Sequence, residues 1–389
     1  MSYSVHSQEF QLLLSCSALD KNRTVEVIKI ISNSTSFNED EFLSLLKRHH
    51  LSELAFQLLK DESFFSTTFR SQIEQLAQAN QLKAIAGLAI QVRLQHFFQA
   101  NGINAIYMKG LFLSHLYYGD IGKRNLVDID VWVEESYFNQ GKVFLRSLGY
   151  VSTLDHYAFN QRQLNFIHQC NHDEIFYHPG DKNTPVIELH WKLRNALGNY
   201  MFDPIKEQDK LMQVEMNGVP FSVFNHVDQF IFLCVHGAEH GWFKLKWLVD
   251  LVHLNNTIDF DWKSVVLRAK VLKSERELRL AWSLLQEFYG LTIPEKIEEI
   301  KLTTLDRLRL NYVRHLISYK GAFCDTGREK LLNLLYTLSL NRRPVLAREL
   351  LLKNLTNTTD WLTLPLPSSL FFLYFPLRPF LWVYRKIKS

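Results

Sequence analysis

Residues 107–133 read YMKGLFLSHLYYGDIGKRNLVDIDVWV, and this stretch decides the fold. It joins a Lys-Gly corner at Lys109 and Gly110 to a short helical run, and then to an apolar run interrupted by Asp128 and Asp130. Because successive side chains of a β-strand point to opposite faces, we expect both aspartates on one face and the apolar residues on the other. Two carboxylates on one face repel each other unless a cation lies between them. A divalent, oxygen-seeking ion such as Mg²⁺ is the usual partner.

The pattern on either side of the aspartate run alternates between strand and helix. Residues 103–108 are a predicted strand, residues 111–118 a predicted helix, and residues 136–148 a second predicted helix. Together with the aspartate strand, this order indicates a small mixed sheet with helices packed on it. The sequence therefore predicts an α+β fold.

Residues 150–191 are predicted to be rich in β-strands. Within this stretch, PVIELHW at residues 185–191 has the pattern of a strand, which places Glu188 and His190 on one face. Glu188 is thus a candidate third carboxylate beside the two aspartates.

The predicted sheet is flanked by helical sequence on both sides. Before it, Asn38 and Glu41 have the spacing of a helix start. Residues 81–100 form a strong predicted helix with an apolar stripe that includes Leu82, Ile85 and Phe97, which we expect to face the core. After the sheet, helical patterns return. The predicted organisation is a helical region at 1–100, an α/β core at 101–220, a helical domain at 221–360 and an apolar, proline-containing basic tail at 361–389.

Charge is unevenly distributed along the chain. The formal net charge is +4, and the tail carries four basic residues and no acid, so the preceding residues are formally neutral. This neutrality argues weakly against nucleic-acid binding, which normally requires a dense basic face. The tail's apolar and basic composition suits either peripheral contact with an anionic membrane or packing across the helical domain. Its four prolines are expected to prevent a long helix.

The location predicted from the sequence is cytoplasmic, with possible membrane contact through the tail. Four cysteines lie far apart without a disulfide-dense pattern, the N-terminal sequence shows no secretory signal, and no apolar run is long enough to span a bilayer.

The carboxylates and the cations around them suggest chemistry on phosphate groups. Asp128, Asp130 and Glu188 on neighbouring strands would hold metal, while Lys109 and Arg124 would neutralise phosphate charge. A glycine at a strand-to-helix corner, here Gly110, lets backbone N–H groups approach a phosphate. The structural alternative is that two aspartates on a strand edge merely keep that edge soluble.

The pattern YMKG, then KRNLVDIDVWV, then VIELHWKL resembles the uncharacterised nucleotidyltransferase family of the DNA polymerase beta-like superfamily. The resemblance implies a nucleotidyltransferase-like core in which Gly110 forms the phosphate-binding turn. It further implies that Asp128 and Asp130 bind Mg²⁺ or Mn²⁺ and that Glu188 completes the site and helps to deprotonate the acceptor. Leu111 stands where the superfamily keeps Ser or Gly, and Lys109 would replace the missing contact.

The implied reaction moves a nucleoside monophosphate from an NTP to an acceptor. The acceptor is left open among a protein, an RNA end, a sugar and a small molecule. His190 would orient Glu188 or contact the nucleotide, although a purely structural role for it is equally compatible with the sequence. A second hypothesis is a regulatory module on the same fold that binds nucleotide without turnover.

Two histidine patterns suggest other metal sites. His236, Glu239 and His240 have the H-x-x-E-H spacing of inverted zinc peptidases, which makes a zinc peptidase the third hypothesis. His168 and His172, with Cys170 between them, would share a face if that segment were a strand. The helix containing His236 also resembles the helical part of the nucleotidyltransferase family, in which a Trp-Asp pair recurs.

Overall fold

The computed structural model describes residues 7–18, 21–34, 36–181, 183–193, 202–319, 326–340 and 355–388. The helices are α1 Gln8–Ser17, α2 Lys21–Ser32, α3 Glu39–His49, α4 Ser52–Leu59, α5 Thr67–Ala100, α6 Leu111–Tyr118, α7 Phe138–Ser147, α8 Gln161–Cys170, α9 His226–Glu239, α10 Lys246–Thr257, α11 Trp262–Val271, α12 Glu275–Tyr289, α13 Glu295–Glu298, α14 Thr304–Ser318, α15 Gly327–Leu340, α16 Thr358–Thr363 and α17 Tyr374–Lys388. The strands are β1 Ala105–Tyr107, β2 Asp128–Val133, β3 Val151–Ser152, β4 Asp173–Tyr177, β5 Val186–His190, β6 Leu211–Met216 and β7 Val219–Phe224.

The strands form one mixed sheet, which confirms the predicted α+β class. Its order is β3-β4-β5-β2-β1-β7-β6, so the aspartate strand β2 lies at the centre. Strand β2 runs parallel to β5 and antiparallel to β1. Alternation along β2 buries Ile129, Val131 and Val133 against α5 and its neighbours, and this leaves the aspartates on the opposite face.

The long helix α5 includes the predicted helix at 81–100 but buries a different face. Leu82 and Ile85 are 58% and 61% exposed, whereas Ala84, Leu94 and Phe98 are fully buried. The prediction of the helix is correct and the prediction of its core stripe is wrong at those two leucine and isoleucine positions. Periodicity predicts that a helix has an apolar face. Which row of side chains is buried depends on how the helix packs on the sheet.

The prediction that residues 150–191 are mainly β-structure is partly wrong, because α8 lies within them. Asn160 begins this helix with a capping box, in which the side chains of Asn160 and Gln163 each bond the other's backbone N–H. His168 and Cys170 therefore lie on a helix and His172 follows it. The proposed strand face of these three residues does not exist.

Helices before and after the sheet pack into one hydrophobic cluster that includes Phe42 and Leu285. A hydrogen bond also joins them, because His49 at the end of α3 accepts from the backbone N–H of Leu245 at 3.0 Å. Asn38 caps α3 as predicted, accepting from the N–H of Glu41. Division of the chain into domains stays a prediction.

The tail forms a helix, which corrects the prediction that its prolines prevent one. Helix α17 continues through Pro379 because its inner face is anchored: Tyr374 is fully buried, and Arg378 and Arg385 both bind the buried carboxylate of Asp360. Those two arginines are therefore occupied within the protein. In the described part of the chain, no helix has both the length and the apolar character needed to cross a bilayer. Peripheral membrane contact through the tail stays a prediction.

Candidate active site

The centre of the candidate site is a pair of carboxylates on adjacent parallel strands. Asp130 on β2 lies in register with Glu188 on β5, and Trp132 lies in register with His190. Because both strands run in the same direction, Asp130, Glu188 and His190 project from one region of the sheet. Their ligand atoms all lie within 4.8 Å of one another, a grouping of three or more potential metal ligands that occurs once among the described residues.

Lys109 is the nearest cation to these carboxylates. Its Nζ lies 2.9 Å from Oδ1 of Asp130, and the Asp130 side chain is fully buried. Burial alone would raise the pKa of Asp130, but the charge of Lys109 and the adjacent His190 hold that pKa well below its usual range. Burial would likewise lower the pKa of Lys109, but the surrounding carboxylates raise it. Both groups are therefore charged at neutral pH.

Glu188 behaves in the opposite way to Asp130. Its carboxylate is 26% exposed, with Oε2 3.7 Å from Nε2 of His190. Burial, together with the charges of Asp130 and Asp128, raises the pKa of Glu188 to about 9. One carboxylate thus stays ionised while its neighbour holds a proton, which is the division expected of acidic groups that share a site.

These residues line a cavity of about 460 Å³ between the sheet and the helices α9 and α10. This size lies within the range of about 300–1,000 Å³ typical of small-molecule sites. Asp128 lines the cavity as well, although its carboxylate lies outside the group of converging ligand atoms. The sheet wall is acidic, with Asp128, Asp130 and Glu188. The helical wall carries Lys244, Lys246, two histidines and one carboxylate, Glu239.

Gly110 shapes the corner between β1 and α6. Its φ of 62° and ψ of −124° are accessible to glycine and strained for other residues. A side chain here would meet the backbone oxygen of Asp128 at 3.3 Å. The glycine therefore allows the corner to approach the aspartate strand closely.

Arg124 is fixed by a forked ion pair that the sequence did not indicate. Its Nε and one terminal nitrogen donate to the two carboxylate oxygens of Asp250 on α10, at 2.7 and 2.9 Å. Tyr118 donates to the same carboxylate at 2.7 Å. Arg124 still lines the cavity, so its position is set by α10 while it contributes charge to the site.

The two histidines of the H-x-x-E-H pattern also face the cavity. Helix α9 ends at Glu239, and His240 is its C-cap residue. The rings of His236 and His240 lie 4.7 Å apart and both pack against Trp247, at 5.3 and 5.2 Å. Burial lowers the pKa of His236 well below its usual value and that of His240 to about 4, so both are neutral.

This packing gives no support to the zinc peptidase hypothesis. Among the described residues, the convergent group of metal-binding side chains does not contain His236, Glu239 or His240. Gly237, inside α9, makes room for the Trp242 indole, which a side chain at this position would overlap. The histidines form an aromatic wall of the same cavity.

The donor set of the site suits a hard divalent cation. Oδ2 of Asp130 is buried without a hydrogen-bond partner, which is expected of an atom reserved for a ligand. Two carboxylates and an imidazole are ligands that Mg²⁺ or Mn²⁺ accepts, with Mn²⁺ the more tolerant of the nitrogen. The residues present therefore fit such an ion.

Sequence reasoning missed the two cavity lysines, Lys244 and Lys246. They alternate with apolar residues in FKLKW, which leads into the first turn of α10, and such a pattern is also typical of an exposed turn. Only the fold of the α9–α10 connection brings them to the carboxylates.

Comparison with protein families gives a match to the model described as uncharacterised nucleotidyltransferase over residues 35–290, well over half of the chain. The matched range is longer than the stretch of motifs on which the sequence resemblance rests. It includes the sheet, the carboxylates and helices α9 to α12. Comparisons with curated proteins and with solved structures gave no match.

Proposed function

The chain belongs to the uncharacterised nucleotidyltransferase family, and on this premise we propose that it moves a nucleoside monophosphate from an NTP to an acceptor hydroxyl. The observation that carries the proposal is the register of Asp130 and Glu188 on parallel strands, with one carboxylate held ionised and the other able to exchange a proton. Nucleotidyl transfer uses ionised carboxylates to hold a divalent cation and a positioned group that accepts the proton of the attacking hydroxyl.

Asp130 and Glu188 would hold the divalent cation together with His190, whereas Asp128, on the same strand face, lines the cavity outside that group. When bound, Mg²⁺ or Mn²⁺ supplies charge neutralisation at the phosphates and orients them for in-line displacement. The ionised Asp130 is held in place by Lys109. Glu188 holds a proton while no cation balances the carboxylates, and ionises when the site is filled.

In the proposed reaction, the acceptor oxygen forms a bond to the α-phosphorus of the NTP. The bond between that phosphorus and the bridging oxygen breaks, and pyrophosphate leaves with the electron pair. Glu188 takes the acceptor proton. Arg124 and Lys109 supply positive charge on the nucleotide side of the site. The glycine corner at Gly110 lets the backbone approach the phosphates closely. His190 orients Glu188.

The direct test is transfer of label from NTPs labelled at the α-phosphate. Purified protein is incubated with each NTP, Mg²⁺ or Mn²⁺, and an extract that supplies candidate acceptors, and adducts are identified by mass spectrometry. We expect a labelled adduct from the native chain and none from Asp130→Asn or Glu188→Gln. Nucleotide binding without any adduct would favour the regulatory module instead, and absence of nucleotide binding would refute both.

A further inference from the structure

Lys246 is a buried lysine whose ammonium has no counter-charge in contact. The residue is 6% exposed, and it lines the cavity from the first position of α10. Within the described part of the chain, no carboxylate lies within 4.0 Å of its nitrogen and it makes no hydrogen bond. Asp128 and Asp250 act on it only from beyond that distance. Burial of most of this side chain disfavours its charged form, while its ammonium faces the cavity without a protein partner among the described residues.

The other buried cations of this cavity are already paired. Lys109 binds Asp130 and Arg124 is forked on Asp250. Lys244, which is partly buried on the same wall, resembles Lys246 in having no ion pair among the described residues. The helical wall therefore carries two lysines without an ion pair among the described residues, beside a single carboxylate, Glu239. An incoming anion would supply the missing partner.

The backbone holds these two lysines in place. Between α9 and α10 the chain turns through Gly241 and Trp242, with φ angles of 57° and 43°. A tryptophan in the left-handed region is strained, and it persists because the indole is completely buried in the space left by Gly237. The N–H of Leu245, between the lysines, is bound by His49. Such a rigid connection keeps Lys244 and Lys246 directed to the cavity.

The two walls of the cavity thus differ in the charge that predominates: carboxylates on the sheet side and lysines on the helical side. Carboxylates suited to a divalent cation line the sheet side, and unpaired lysines line the helical side. A polyphosphate bound to a cation matches both walls, since its oxygens can bind the metal at one end and ammonium groups at the other.

We propose that Lys244 and Lys246 form a polyphosphate subsite that binds the β- and γ-phosphates of the NTP. The identity of the ligand as an NTP rests on the proposed function, whereas the affinity for polyphosphate does not. These lysines, from the helical side, are the groups that bind the leaving pyrophosphate. Lys109 and Arg124 act closer to the carboxylates and the adjoining strand.

The test measures binding of inorganic tripolyphosphate by calorimetry in the presence of EDTA, so that neither metal nor transfer is required. Lys246→Met preserves side-chain length without the charge, and we expect it to weaken binding by about tenfold to a hundredfold. Lys244→Met should weaken it by a smaller factor. The control is Lys270→Met, an exposed lysine on α11, which should leave affinity unchanged. Inorganic phosphate and nucleoside monophosphates are titrated in parallel.

Thermal unfolding separates a binding role for Lys246 from a structural one. Since Lys246→Met removes a buried unpaired charge, we expect its melting temperature to rise, whereas loss of a structural contact would lower it. The subsite is refuted if native protein does not bind tripolyphosphate, or if Lys246→Met binds it equally well. If inorganic phosphate binds as tightly as tripolyphosphate, and Lys246→Met weakens both equally, the polyphosphate subsite is wrong. The lysines would then bind a single phosphate group of the acceptor.

The same variants distinguish failure of the subsite from failure of the proposed function. If tripolyphosphate binding depends on Lys246 but no acceptor is ever labelled, the subsite stands and the transfer reaction does not. If labelling occurs and Lys246→Met leaves the KM for NTP unchanged, the transfer reaction stands and the subsite does not.

Discussion

Asp130 and Glu188 lie side by side on parallel strands, although two helices and two strands separate them in the chain. The two carboxylates have different electrostatic surroundings. Lys109 contacts Asp130, while the pKa of Glu188 is raised first by burial and then by the repulsion of the other carboxylates. This asymmetry gives one fixed anion and one titratable acid, and it leads to the first two predictions.

Lys109→Met should destabilise the protein strongly. The variant leaves the buried Asp130 carboxylate without its cation, and breaking a buried pair in this way costs about 3–5 kcal/mol. Urea denaturation measures the change. Arg146→Met is the control, because its pair with Asp155 is exposed and should contribute at most about 1 kcal/mol. The double variant Lys109→Met with Asp130→Asn should recover much of the loss, and no recovery would contradict the pairing.

Glu188→Gln should abolish transfer and change the dependence of stability on pH. The pKa of Glu188 is raised from 4.5 to about 9 on folding, so the native state binds the proton more tightly than the unfolded state. Its contribution is fully present below pH 4.5 and is lost as the pH rises through 9. Metal-free native protein should therefore lose stability relative to Glu188→Gln across that interval. Parallel denaturation curves in EDTA at several pH values test this, and a constant difference would contradict it.

Asp250→Asn should reduce nucleotide affinity as well as stability. The substitution removes one partner of the buried fork on Arg124, which costs about 3–5 kcal/mol and frees the guanidinium to move from the cavity wall. Tyr118→Phe is the milder comparison, since it removes a single hydrogen bond to the same carboxylate and should cost about 1 kcal/mol. Denaturation and NTP titration are measured on both. Unchanged NTP affinity in a folded Asp250→Asn variant would show that Arg124 has only a structural role.

Gly237→Ala should destabilise the protein even though alanine is the better helix former. Its gain in helix propensity is about 1 kcal/mol, but the added methyl group would overlap the Trp242 indole, and overpacking of this kind costs about 1–3 kcal/mol or more. Displacement of Trp242 should also weaken tripolyphosphate binding by disturbing the turn before Lys244. Gly327→Ala, at an open position on α15, is the control and should be neutral or stabilising. Equal stability of both variants would contradict the packing argument.

Asp360→Asn should loosen the C-terminal helix without affecting the active site. Its carboxylate is fully buried and binds both Arg378 and Arg385. Loss of that charge leaves two half-buried arginines repelling each other. Hydrogen exchange should accelerate in α17 and remain unchanged in β2 and β5. Acceleration throughout the chain would mean that the tail is part of the main cooperative unit.

Much of the local structure followed from the sequence, because it depends on nearby residues. Helix 111–118 was predicted with the bounds that the structure has, since the glycines on either side of it and its apolar residues set them. Alternation of side chains placed Asp128 and Asp130 on one face of their strand. It likewise placed Glu188 and His190 together on one face of a second strand. The misassigned α8 shows the limit of this reasoning, because a capping box at Asn160 outweighed the strand-like pattern after it.

The pairing and protonation of the site depended on tertiary structure. The sequence supplied Lys109, Arg124 and the carboxylates, but burial and distance decided that Lys109 binds Asp130, that Arg124 binds Asp250, and that Glu188 has a raised pKa. Electrostatic interactions depend on separation in space and on exclusion of water, and neither is encoded in local spacing. For the same reason Lys246 was indistinguishable in sequence from a surface lysine, until the turn before α10 placed it, unpaired, opposite the carboxylates.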